Sequence, residues 1–315
     1  MLHTDVADTN DDALPTPEET ALLVPAKRLT RDLSLASVTL TADEARFLVD
    51  AYYQMQENRI RADGQVRALN KSAEPHAVLQ WLGIQSDTLE QQIKHALAKY
   101  AEAQPLGQWA LSQVGIGPVI TAGLLAHIDF EPWTCAVPKA ERTPDHKCTE
   151  REPCTEHCGR KRIETVGHIW RFAGLDPTVT WGKGEKRPWN AALKVISWKI
   201  GESFVKVSNN PNATYGLIYK QRKELETARN ERGEYTEQAK AMLERKRFGK
   251  DTQARAHYEA GRLPPAHIHA RAKRYAVKLF LAHYFEVGYT LATGHAPPLP
   301  YPIAIQGHAH KIDPK

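Results

Sequence analysis

The feature that most constrains the fold is a glycine-rich turn in the middle of the chain, between two stretches with helical spacing. Gly115 and Gly117 flank Ile116, and Pro118 follows at once. Glycine permits a tight turn with positive φ, and proline suits the first position of a helix. The sequence therefore predicts a hairpin that points the free amides of a helix start outward, an arrangement that binds anions such as DNA phosphates. We call residues 115–117 the glycine turn; a connection without function is the alternative interpretation.

Helical spacing of apolar residues extends over most of the chain, so the predicted fold class is mainly α. Thr41 and Glu44 form a capping box that begins a helix over 42–70, and Asp87 with Glu90 indicates a second helix start. Further helices are predicted to end near residue 103 and to cover 106–113, 163–174, 189–207 and 214–248 (one helix or a helical hairpin). A last helix is predicted to begin at Pro264 and Pro265, with apolar spacing as far as Val287. The expected architecture is a helix-hairpin-helix core with a small zinc-stapled loop insertion and long C-terminal helices.

Composition divides the chain into four predicted segments. Residues 1–27 are acidic and polar and are expected to form a disordered tail. Residues 28–207 form the helical core domain, with a Cys-rich insertion at 130–162. A charged helical region follows over 208–293, and the tail over 294–315 contains proline and histidine.

The charge is unevenly distributed along the chain. The formal net charge is +5, yet the first twenty residues hold six acidic residues and no lysine or arginine, so the remainder carries about +11. A basic folded part favours nucleic acid as a partner. The sequence lacks an apolar run of membrane-spanning length, and its acidic start differs from a signal peptide. We therefore expect a cytoplasmic, nucleoid-associated protein that does not enter a membrane.

The cysteines are all confined to one short segment that is poor in apolar residues. Cys135, Cys148, Cys154 and Cys158 supply four thiolates, which is one complete tetrahedral shell for a structural zinc ion. Their close grouping suits a metal site in a reducing compartment better than a disulfide framework. Unliganded thiols or a disulfide are the alternatives.

A polar loop follows Gly174, a residue typical of the position just after a helix end. Residues 175–188, which we call the basic loop, contain Lys183, Lys186 and Arg187. We expect these cations to add phosphate contacts to those of Gly115, Ile116 and Gly117 in the glycine turn.

Three stretches in this order resemble the C-terminal domain of the Piv-type DEDD insertion-sequence transposases, some of which are guided by a bridge RNA. They are Gly115-Ile-Gly-Pro-Val-Ile-Thr-Ala-Gly-Leu-Leu-Ala-His-Ile-Asp129, Trp170-Arg-Phe-Ala-Gly-Leu-Asp-Pro177 and Gly184-Glu-Lys-Arg-Pro-Trp-Asn-Ala-Ala-Leu-Lys194. The resemblance covers residues 86–207 and implies DNA recombination. The family's RuvC-like catalytic domain has no counterpart in residues 1–85.

The resemblance also implies where a nucleophile would lie. The family carries a serine in the loop after a Gly-Leu-x-Pro motif, and the corresponding loop here contains Thr178 and Thr180 instead. These hydroxyls are the catalytic candidates. Independently of the resemblance, Asp129, Glu131 and Asp176 lie near the turn and the basic loop and are the carboxylates that would hold magnesium if the chain is catalytically active; helix caps and surface charges are the alternative interpretation.

Three functions follow as expectations. The first is a DNA-binding protein derived from, or acting with, a transposase or recombinase of a mobile element. The second is an active transposase or site-specific recombinase, alone or with a separate catalytic subunit. The third is an RNA-binding or assembly subunit that binds structured RNA or forms a homo-oligomer through its charged helical region.

Overall fold

The computed structural model describes residues 29–69, 77–130, 163–249, 251–304 and 311–314. The regular structure in these ranges is helical, so the mainly α prediction is confirmed for them. The predicted tail over 1–27 lies outside these ranges, as does nearly all of the predicted insertion over 130–162. The helices are α1 (Arg31–Ala36), α2 (Ala42–Leu69), α3 (Ala77–Glu102), α4 (Pro105–Ser112), α5 (Pro118–His127), α6 (Val166–Phe172), α7 (Ala191–Lys206), α8 (Thr214–Glu231), α9 (Thr236–Arg245), α10 (Gln253–Glu259), α11 (Pro265–Thr293) and α12 (Tyr301–Ala304).

Helices α2 and α3 form a long antiparallel pair. The capping box at the start of α2 is confirmed, because the backbone N–H of Thr41 donates to Glu44 Oε2 over 2.7 Å. The predicted start at Asp87 is wrong, since α3 already begins at Ala77. Glu90 is buried and accepts a hydrogen bond from Arg59 Nε of α2 over 2.7 Å. Its carboxylate therefore joins the two helices and does not cap one of them.

Helix α5 lies between two groups of buried apolar side chains. Val119, Ala122 and Ala126 pack with α2 and α3, where Val49 and Leu97 are buried. The opposite side of the α5 region, including Leu124 and Ile128, belongs to the main core. A helix that is apolar on nearly all sides has to be buried, and α5 leaves only its N-terminal end open.

The main core is built around α11, which packs against α4, α6, α7 and α8. Its centre is aromatic: Tyr215 stacks on Phe204 with the ring centroids 5.1 Å apart and meets the edge of Phe280 at 5.2 Å. Leu106, in α4, is also part of it. Helices on both sides of residue 207, where the sequence suggested a boundary, thus share one core.

The charged region after residue 213 forms two helices, α8 and α9, joined by a turn at Gly233, where φ is +80°. Of the two options left open for residues 214–248, the helical hairpin is therefore the one that forms. Buried Glu226 fixes α8 to α11 through an ion pair with Arg271, whose Nε lies 2.9 Å from the carboxylate. Helix α8 also packs against α7, whose side chains form part of the candidate site.

Candidate nucleic-acid interface

The two glycines of the glycine turn have different roles. Gly115 has φ +99°, as predicted, whereas Gly117 has φ −101° and ψ 175°, so the prediction of a positive φ is wrong there. A Cβ added to Gly115 would lie 3.1 Å from Val207, but one added to Gly117 would meet nothing within 4 Å. Gly115 is thus required by the fold, while Gly117 leaves space open in front of α5.

That space is the N-terminal end of α5. Pro118 occupies the first helical position, as predicted, and no side chain caps the helix at Gly117. The first backbone hydrogen bond of α5 runs from the N–H of Thr121 to the carbonyl of Gly117 over 3.0 Å. The amides of Val119 and Ile120 precede it and therefore have no partner within the helix. They carry the partial positive charge of the helix start.

These amides face a groove of about 640 Å³, which we call the turn groove. Its walls come from α2, α3, the turn with the first residues of α5, and α7. The lining residues are Tyr52, Tyr53, Gln56, Lys94, Gly115, Ile116, Gly117, Pro118, Val119, Ile120, Trp198, Lys199, Glu202, Ser203 and Lys206.

The turn groove carries excess positive charge. Lys94, Lys199 and Lys206 line it, and the one carboxylate among its described lining residues, Glu202, is paired with Lys273 outside the groove. Lys199 Nζ lies 3.5 Å from the centre of the Tyr53 ring. Burial lowers the pKa of Lys199 from its usual value; the charge of Glu57 partly offsets this effect, and the charge of Lys206 adds to it. The amides and three lysines together form a surface suited to an anion.

Trp198 stands at the edge of the same groove. Its side chain is 59% exposed, more than the other tryptophans in the described part of the chain. Trp109, by contrast, stacks on Phe280, and Trp170 lies under Lys278 Nζ at 4.0 Å. The Trp198 ring is therefore open to contact from outside the protein.

The structure does not bring the basic loop to the glycine turn. Asn190 caps the start of α7 by accepting a hydrogen bond from the N–H of Leu193 over 2.9 Å, and the basic loop ends beside this cap. Gly115 packs at the opposite end of α7, against Ser203 and Val207. The basic loop, with Lys183, Lys186 and Arg187, and the glycine turn therefore meet opposite ends of α7, whose 16 residues span about 24 Å.

The basic loop has its own internal contacts. Gly174 has φ +66° and ends α6 as predicted, with the N–H of Leu175 donating to the carbonyl of Trp170 over 2.7 Å. Trp181 Nε1 donates to the carbonyl of Glu185 over 2.7 Å, and the Arg187 guanidinium lies 5.5 Å from the Trp181 ring centre. These contacts define the loop's shape while leaving its cations exposed.

The catalytic candidates lie in the same exposed loop. Thr178 Oγ1 donates to Asp176 Oδ1 over 2.7 Å, and the Thr178 N–H donates to the same oxygen over 2.9 Å. These hydrogen bonds hold the pKa of Asp176 below its usual value. The pair forms a local turn in which the hydroxyl is oriented by a carboxylate that is a weak base. Thr180 is exposed in the same loop.

The zinc ligands predicted from the sequence, Cys135, Cys148, Cys154 and Cys158, lie outside the described residues. Glu131 also lies outside them. Of the three carboxylates predicted to hold magnesium, the structure therefore describes Asp129 and Asp176. Within the described ranges, no three or more His, Cys, Asp or Glu side chains come together as a metal-binding group.

Lys94, Tyr53 and Trp198 line the groove but are not among the site residues predicted from the sequence. Two signals for α7 were available: Lys199 and Lys206 are seven residues apart, and therefore nearly on one side of a helix. Trp198 also falls outside the helix's buried apolar stripe. No local signal marks Lys94, because only the packing of α3 against α5 places it in the groove.

Comparisons with known proteins give no further assignment: no family model, curated protein or solved structure matches this chain. None of the helices in the described ranges is both long and apolar enough to cross a membrane.

Proposed function

We propose that this protein binds duplex DNA by gripping its phosphates in the turn groove. The observation that carries the proposal is the convergence of the uncapped start of α5 with Lys94, Lys199 and Lys206 in one groove. Backbone amides donate hydrogen bonds to phosphate oxygens, and lysines attract them as point charges. Such contacts position DNA without reading its bases, so we expect binding to be largely independent of sequence.

The resemblance to transposases supports a role on a mobile element. Its three stretches correspond to the glycine turn with α5, to the end of α6, and to the start of α7. Buried side chains from all three elements belong to one core. We propose that the protein acts with, or derives from, a transposase or recombinase, with any RuvC-like catalytic domain supplied by a separate subunit.

The test is a binding titration with duplex DNA, single-stranded DNA and structured RNA at low and high salt. We expect duplex binding that weakens steeply with salt, because released counterions drive phosphate binding. The Gly117→Leu variant should lose affinity, since its side chain would occupy the groove. Gly64→Leu is the matched control, because it too meets nothing within 4 Å but lies outside the groove.

Two results would contradict this proposal. Equal affinity of Gly117→Leu and wild type would remove the glycine turn from the binding surface. Stronger binding of structured RNA than of duplex DNA, or a stable oligomer without any nucleic-acid affinity, would favour the RNA-binding or assembly function instead.

The contact between Thr178 and Asp176 favours strand transfer as a second candidate function. A hydroxyl that donates to a carboxylate is oriented for attack, although the lowered pKa of Asp176 weakens it as a base. If Thr178 is the nucleophile, DNA cleavage should be lost in Thr178→Ala and retained in Thr178→Ser. Cleavage that survives in Thr178→Ala but disappears in Thr180→Ala would assign the second threonine.

We also propose that Cys135, Cys148, Cys154 and Cys158 hold one structural zinc ion, on the basis of the sequence alone. Metal analysis of protein purified without added zinc should find about one zinc per chain. A Cys148→Ser, Cys154→Ser double variant should purify without it. Wild-type protein that purifies without bound zinc and with four titratable free thiols would contradict this assignment.

A further inference from the structure

We infer that the turn groove also holds an unpaired nucleotide, with its base stacked on Trp198 and its phosphates between the groove lysines. The inference rests on the proposed DNA binding and adds a substrate class to it: duplex interrupted by a short single-stranded segment. It is carried by the size of the groove, the position of Trp198 and the distribution of charge around them.

The size of the turn groove fits a nucleotide unit. Its volume of about 640 Å³ lies within the range of roughly 300–1,000 Å³ found for sites that bury small molecules. A continuous duplex can place backbone phosphates in such a groove, but its stacked bases stay outside it. A nucleotide that has left the base stack can enter it, as happens in proteins that extrude bases from DNA.

Trp198 offers the aromatic surface that such a base requires. It lies on the exposed side of α7, with its side chain 59% exposed. The neighbouring Lys199 reaches over the ring of Tyr53, which also lines the groove. An exposed indole beside a basic groove is the combination used to bind single strands, because every base has a face that can stack.

The lysines lie where the backbone of that nucleotide would run. Lys206 and Lys199 are one turn or more apart along α7, on the same wall as Trp198, and Lys94 faces them from α3. Glu202, between them on α7, is neutralised by Lys273. The groove therefore attracts phosphate along its length while Trp198 contacts the base.

The test compares a continuous duplex with the same duplex carrying a short single-stranded gap, using wild type and Trp198→Ala. Wild type should bind the gapped DNA about tenfold more tightly, the effect of stacking one base. Trp198→Ala should bind both DNAs with the affinity that wild type has for the continuous duplex. Trp198→Phe should retain part of the preference.

A control and a second readout separate stacking from misfolding. Trp81→Ala removes an exposed tryptophan of α3 that does not line the groove, so it should keep the full preference. A fluorescent adenine analogue in the gap should be quenched by wild type and not by Trp198→Ala. The preference for gapped DNA should change little with salt, because stacking releases no counterions.

The outcomes distinguish this inference from the proposed function. Equal wild-type affinity for gapped and continuous DNA, or an unchanged preference in Trp198→Ala, would overturn the nucleotide site and leave duplex binding standing. Absence of binding to either DNA would overturn both.

Discussion

Ser203 donates a hydrogen bond from its hydroxyl to the backbone carbonyl of Gly115, and this contact ties the glycine turn to α7. The two residues are 88 positions apart in the chain. Gly115 belongs to the segment that begins α5, whereas Ser203 lies one turn from the end of α7. The contact therefore fixes the two walls of the turn groove relative to each other.

Removing this hydrogen bond should loosen the groove without unfolding the protein. We expect Ser203→Ala to lower the free energy of unfolding by about 1 kcal/mol, the usual net contribution of one hydrogen bond, and to weaken duplex binding several-fold. Urea unfolding and a DNA titration measure the two effects. Ser208→Ala is the matched control, because Ser208 Oγ donates locally to the carbonyl of Val205 over 2.7 Å. Equal DNA affinities of these two variants would show that the hydrogen bond between Ser203 and Gly115 has no role in DNA binding.

The two glycines of the turn should respond differently to alanine. Gly115→Ala places a side chain at φ +99° and 3.1 Å from Val207, so it should destabilise the fold by about 1–2 kcal/mol or more. Gly117→Ala meets open space at an ordinary φ and should change stability by less than about 0.5 kcal/mol. Denaturant unfolding of both variants tests this difference, and a comparable loss in each would contradict the geometry of the turn.

The two basic groups, one at each end of α7, should differ in the length of DNA that they require. Lys199→Glu with Lys206→Glu should weaken binding to all duplexes and reduce the salt slope by about one per lysine. Lys183→Glu with Lys186→Glu should matter only for duplexes that extend past the groove by about 24 Å, or about seven base pairs.

A titration over a series of duplex lengths measures this dependence. Loss of affinity in the loop variant on the shortest duplexes would mean that DNA meets the basic loop first. No effect at any length would remove the loop from the interface.

Local signals in the sequence located several helix ends correctly. The capping box at Thr41 and the αL glycine at Gly174 both depend on neighbours within a few residues, so they are readable from sequence. Asp87 with Glu90 has the pattern of a helix start, but Glu90 binds Arg59, which is 31 residues away. That partner is chosen by the packing of α2 on α3, and periodicity alone does not specify it.

The glycine turn at the centre of the candidate site was predictable from the sequence, but the side chains that surround it were not. Gly115 and Pro118 indicate the turn because glycine permits a positive φ and proline has a fixed φ suited to a helix start. The stretch that contains Lys183 and its neighbours follows the glycine turn in the order of the family motifs. In the structure, however, the basic loop and the turn lie at opposite ends of α7. Lys94 enters the groove only through tertiary contacts, which no spacing rule includes.

Acid should destabilise the fold through His127, at the end of α5. Burial and the nearby charge of Arg46 lower the pKa of His127 to about 4. The unfolded chain binds a proton near pH 6.5, whereas the folded chain does so only near pH 4. The free energy of unfolding should therefore fall as the pH drops through this window, by on the order of 3 kcal/mol for this residue.

His127→Gln isolates the contribution of this residue, because it keeps a polar side chain that does not titrate. Burial also lowers the pKa of His267, His269 and His283, so wild type and variant should both lose stability in acid. The variant should lose less between pH 6.5 and pH 4, a window in which His127 alone differs between the two proteins. Parallel pH profiles from urea unfolding would show that His127 is protonated as readily in the folded chain as in the unfolded one. In that case the α5 end would be open to water, and α5 would be less rigidly held behind the turn groove than its contacts indicate.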